Sequence, residues 1–112
     1  MKKIAILTCL KSNEVCTGAA CLYAFNAREK SFERYKDMEI ELVAFAKCNG
    51  CDQPLTENRG LQEKLERLIN IGTDIVHLGI CVQNREGTEC KIVTDLAEEL
   101  EKKGVAVIRG TH

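Results

Sequence analysis

Four short apolar runs, spaced by amphipathic stretches, leave few folds open to this chain. The runs are Lys3–Thr8, Glu39–Ala46, Asp74–Ile80 and Val105–Ile108. The first, third and fourth are nearly continuous in apolar character, the pattern of parallel strands covered on both faces. Between them lie three helical patterns. Residues 18 to about 34 carry a small, apolar face that includes Ala20, Ala24, Ala27 and Phe25. Residues 57–71 place Leu61, Leu65, Leu68 and Ile69 on a single stripe, with Thr56 as the expected N-cap and Gly72 just past the end. Residues 90–103 place Val93, Leu96, Ala97 and Leu100 together, and Lys102-Lys103-Gly104 closes that helix with cations at its negative end. Stretch 29–38 either extends the first helix or forms a second short one. The order β-α-β-α-β-α-β predicts one three-layer α/β domain over residues 1–112. Its four parallel strands run in the flavodoxin-like order 2-1-3-4, with helices on both faces.

Sixteen Lys and Arg balance seventeen Asp and Glu, so there is no basic excess to neutralise phosphates and nucleic acid is not an expected partner. No apolar stretch approaches a membrane span. Met1-Lys2-Lys3 is basic, but Ile4–Leu7 is too short for the apolar region of a signal peptide, so a cytoplasmic location is expected. A protein partner or homo-oligomer is left open.

Seven residues are cysteine, an odd number that cannot pair completely within the chain. In a reducing compartment, clustered cysteines more often bind metal or do redox chemistry than form structural disulfides. Their positions carry the main expectation. Cys9 follows the first run, Cys48 and Cys51 the second, and Cys81 the third; His112 comes shortly after the fourth. All these positions fall on the C-terminal edge of a parallel sheet, where open α/β sheets bind ligands. With strands about 4.8 Å apart, Cys48, Cys9 and Cys81 would form a row of thiols. Cys16 and Cys21 open the first helix and Cys90 precedes the third, over the same edge. Cys21 also fits the apolar face of its helix. Cys48-Asn49-Gly50-Cys51 is a C-x-x-C, a spacing that serves metal ligation and dithiol exchange alike.

With these residues in view, the whole chain resembles the CGGC-domain proteins, small prokaryotic α/β proteins proposed to bind metal through cysteine and histidine. The resemblance rests on Cys9, on Cys16-Thr17-Gly18 and Cys21, on the central Cys48-Asn49-Gly50-Cys51, on Cys81 and Cys90, and on the terminal Gly110-Thr111-His112. Asn49 replaces the first glycine of the name motif. Lys91 and Ile92 stand where the family often has a histidine after the cysteine preceding the third helix.

The leading expectation is therefore metal binding, by zinc or an iron–sulfur cluster, with any catalysis unidentified. The favoured ligands are Cys9, Cys48, Cys51 and Cys81; Cys16, Cys21, Cys90 and His112 are further candidates. The alternative is a thiol–disulfide redox protein using Cys48 and Cys51. Against it, Asp52, Gln53 and Pro54 separate the pair from the next helix, and Pro54 is the only proline, so no later proline can flank the thiols. A phosphatase-like loop is disfavoured, because Val15 and Leu22 occupy the places six residues after Cys9 and Cys16 where an arginine is needed. His77, inside the third run, reads as a buried histidine with satisfied hydrogen bonds rather than a ligand.

Overall fold

The computed structural model describes residues 1–9, 16–48, 53–82 and 88–112. Strand β1 (Lys2–Cys9) leads to helix α1 (Ala19–Ala27), then a 3₁₀ helix at Lys30–Tyr35, and strand β2 (Ile40–Cys48). Helix α2 (Arg59–Asn70), strand β3 (Ile75–Leu78), helix α3 (Lys91–Lys102) and strand β4 (Ala106–Arg109) complete the domain. All pairings are parallel and the sheet order is β2-β1-β3-β4, as the alternation predicts.

Alternation along β1 divides the interior in two. Ala5 and Leu7 join Leu61 and Leu68 of α2 and Val93, Leu96, Ala97 and Leu100 of α3 in one core. Ile4 and Ile6 join Cys21, Ala24 and Phe25 of α1, with Phe32 and Tyr35, in the other. Successive side chains of a strand face opposite ways, so α2 and α3 lie on one face and α1 on the other.

A bulge sets the phase of β2. Ile4 pairs with Leu42 but Ala5 pairs with Ala44, which leaves Val43 as the extra residue. Leu42 and Phe45 therefore both pack on the α1 side, while Ala44, Ala46 and Cys48 pack on the α2 side. Beyond the bulge the register holds to the strand ends and pairs Cys9 with Cys48. A one-residue slip would have turned Cys48 to the other face.

Two helix boundaries differ from expectation. The first helical pattern stops at Ala27 rather than near residue 34, because Arg28 (φ 56°) and Lys30 (φ 54°) adopt left-handed backbone. The break turns the chain so that Phe32, fully buried, packs edge-on against Phe25, with ring centroids 5.4 Å apart. Helix α2 starts after Asn58, not Thr56. The Asn58 side chain accepts a hydrogen bond from Leu61 N at 3.0 Å, whereas Thr56 falls inside a 3₁₀ turn at Leu55–Glu57. The other end agrees: Gly72 has φ 80° and donates to Ile69 O at 3.1 Å, while Thr73 donates to Leu68 O at 3.2 Å, the double closure that a left-handed glycine permits. Helix α3 ends in the same way at Gly104 and Val105.

Candidate functional site at the C-terminal edge of the sheet

Cys9 and Cys48 are the last residues of β1 and β2 and are register partners, so their backbones run about one strand spacing apart. Cys48 is buried and Cys9 half-buried, both against the α2–α3 core. Cys81 does not extend β3; it sits in a short 3₁₀ helix, Ile80–Val82. That turn folds its side chain back, and Cys9 N donates to Cys81 Sγ at 3.3 Å. Gly79 makes the approach feasible. A Cβ at Gly79 would lie 3.0 Å from Thr8 Cγ2 and 3.3 Å from Cys81 Sγ, both tighter than ordinary contact. Gly79 N donates to Leu7 O at 2.9 Å, so backbone bonding fixes the turn against β1.

Cys16 and Cys21 approach from the α1 side. Cys16 is exposed, and its Sγ accepts from Gly18 N at 3.4 Å at the start of the helix. Cys21 is buried, with its Sγ 3.2 Å from the Thr111 hydroxyl. Burial pushes the Cys81 thiol above its ordinary range; the hydrogen bond from Cys9 opposes this, and the neighbouring Cys9, Cys21 and Cys16 add to the rise. Cys90 caps α3 through its backbone, its own N–H bonded to Val82 O at 3.0 Å beside the Cys81 turn.

Cys51 lies outside the described residues, so the C-x-x-C is seen only through Cys48. Among the described residues, no group of three or more Cys, His, Asp or Glu side chains closes into a metal-holding arrangement. The donors nevertheless suit a soft metal. They are sulfurs, and two of them stand on paired strand ends.

His112 is exposed and lines a pocket of about 130 Å³ with Gly79, Ile80, Glu89 and Arg109. Arg109 Nε donates to Glu89 Oε1 at 2.9 Å across this pocket. His77 is fully buried and fully bonded, as its strand position suggested. Its Nδ1 lies 2.9 Å from Gly110 O and its Nε2 2.7 Å from the Tyr35 hydroxyl. A carbonyl only accepts, so Nδ1 carries the proton and Nε2 accepts from Tyr35. Burial holds the His77 pKa below its usual value and raises that of Tyr35, which keeps both groups neutral.

Several residues that shape this edge give no sequence signal. Lys47 Nζ donates to the buried Thr8 hydroxyl at 3.0 Å and stands 4.4 Å from the Phe45 ring centre, which holds its cation on the α1 side of the sheet. Thr111, fully buried, ties the terminal segment to Cys21. Gly79 is the third, since only a neighbour across the sheet makes its missing side chain matter.

No solved structure matches this chain. An uncharacterized protein of Methanocaldococcus jannaschii is 34% identical over 122 aligned residues, which cover 98% of this chain and 86% of that protein. Among the described residues no helix is long and apolar enough to cross a membrane. The CGGC domain matches residues 3–112, from the first strand to the terminal histidine. A parallel sheet that ends two neighbouring strands in Cys9 and Cys48, together with a family match over residues 3–112, makes the chain a member of the CGGC domain family.

Proposed function

We propose that this protein binds zinc or an iron–sulfur cluster through cysteines at the C-terminal edge of its sheet. The observation that carries the reading is the Cys9–Cys48 register pair with the Cys81 sulfur folded onto Cys9. Cys9, Cys48 and Cys81, completed by Cys51, would supply the four thiolates that either group requires. Strand ends and a backbone-fixed turn are rigid platforms, which limits the ordering cost of assembling ligands. Bound zinc would act structurally or as a Lewis acid, and a cluster would carry single electrons. Cys16, Cys21, Cys90 and His112 are candidates for exchange or for support around the ligands.

The chain's own contribution is to hold thiols close and partly shielded. Burial keeps the Cys81 thiol protonated at neutral pH, so metal binding there would release a proton and strengthen as pH rises.

The test is elemental analysis with an absorption spectrum on protein purified without oxygen. Zinc near stoichiometry, or iron and sulfide with a visible charge-transfer band, is the expected result. Colourless protein that takes up neither metal when offered both would end the reading.

A further inference from the structure

Cys9 and Cys81 differ from their neighbours in combining proximity with access. Cys48 and Cys21 are 3% and 4% exposed, whereas Cys9 and Cys81 are both half-buried. The Cys81 sulfur rests 3.3 Å from the Cys9 backbone nitrogen, which is two bonds from Cys9 Cβ. A disulfide needs Cβ atoms about 3.5–4.5 Å apart and Cα atoms about 4.4–6.8 Å apart, and a Cys81 sulfur that already touches the Cys9 backbone is within reach of that span. The turn that brings the two together is fixed by Gly79 N to Leu7 O at 2.9 Å and Val82 N to Gly79 O at 3.2 Å. The bare Cα of Gly79 leaves the space the Cys81 sulfur uses.

We propose that Cys9 and Cys81 form a reversible disulfide on exposure to a small-molecule disulfide of the oxidised-glutathione class, closing two of the thiols that would otherwise bind metal. The proposal rests on the metal reading for its consequence but not for the bond itself. The thiolate of one cysteine attacks the reagent's S–S bond, giving a mixed disulfide and one reagent thiolate. The second cysteine then attacks the sulfur already joined to the protein, and the other reagent thiolate leaves. The two cysteines lose two electrons and two protons, and the reagent takes them up as two thiols. Metal and disulfide compete for the same sulfurs, so each opposes the other to the same extent.

The sequence makes the bond readable. Trypsin releases Cys9 in peptide 4–11 and Cys81 in peptide 68–85, each with one cysteine, while Cys48 and Cys51 share peptide 48–59 and Cys16 and Cys21 share peptide 12–28. Metal-free protein is treated with oxidised glutathione, alkylated and digested. The expected product is peptide 4–11 joined to peptide 68–85, lighter by two hydrogens, released by dithiothreitol and diminished in Gly79→Ala. A dominant bridge within 48–59, or any other dominant pairing, overturns the proposal, as does full alkylation of Cys9 and Cys81. Because the protein carries no metal in this experiment, a missing 4–11/68–85 bridge leaves the metal reading standing. A bridge that forms in a chain taking up neither zinc nor iron removes the metal reading and leaves the pairing.

Discussion

The two faces of the sheet are built on different principles. The face under α2 and α3 is a mainly apolar core with the buried Asn58 capping α2, and its helices are amphipathic and closed at their C-termini by glycine. The face under α1 mixes aromatic packing with buried polar groups: His77, Tyr35, Thr111 and Cys21 are all within it or against it. Helix α1 itself has no charged residue between Ala19 and Ala27 and no acidic residue in its first turn. One face is organised to be stable. The other fixes the terminal segment and the helix that carries Cys21, and accepts buried hydrogen bonds that must all be satisfied.

Core truncation should break the comparison most visibly. Leu100, fully buried under α3, should cost about 2–5 kcal/mol as Leu100→Ala in denaturant unfolding. On the opposite face, Tyr35→Phe keeps the ring but leaves His77 Nε2 buried without a donor, and should cost about 1–3 kcal/mol. A loss for Tyr35→Phe as large as that for Leu100→Ala would erase the distinction between the faces.

A pH series sharpens it further. His77 is held below its usual pKa first by burial, then by the nearby Arg34, with the Gly110 hydrogen bond opposing. Its stabilising contribution is therefore complete above the unfolded value of about 6.5 and lost as pH falls, because the unfolded chain takes a proton that the folded chain refuses. Between about pH 7 and 5.5 the unfolding free energy should fall by up to about 1.4 kcal/mol per pH unit from this group. His77→Gln should flatten that slope, and an unchanged slope would remove His77 as its source. The smallest effect belongs to Tyr23, 64% exposed on the outer side of α1, where Tyr23→Ser should stay within about 0.5 kcal/mol of the parent.

The same contrast explains what could be read from the chain. The strand–helix alternation, the stripes of α2 and α3 and their glycine stops follow from local periodicity, and the strand order is the flavodoxin-like one that this alternation suggests; all are found. The strand-end placement of Cys9 and Cys48 followed from the same periodicity. What escaped depends on partners distant in sequence. The bulge at Val43 exists because two faces of β2 must match β1, which a run of apolar residues does not encode. The choice between one long helix and a second short one after α1 is decided by Arg28 and Lys30, which accept left-handed backbone at a cost returned by burying Phe32 and Tyr35. Asn58 outcompetes Thr56 as the cap because its side chain reaches Leu61 N, a choice between adjacent good candidates. The recoil of Cys81 onto Cys9 depends on a glycine whose role is visible only across the sheet.

The central claim is that the strand-end cysteines bind metal, and differential alkylation tests it most directly. Reduced protein, with and without zinc or reconstituted iron and sulfide, is alkylated without oxygen and mapped by tryptic peptide. The account predicts that metal protects the cysteines in peptides 4–11, 48–59 and 68–85 together, with Cys90 in peptide 86–91 less affected. Equal alkylation of those three peptides with and without metal would contradict it.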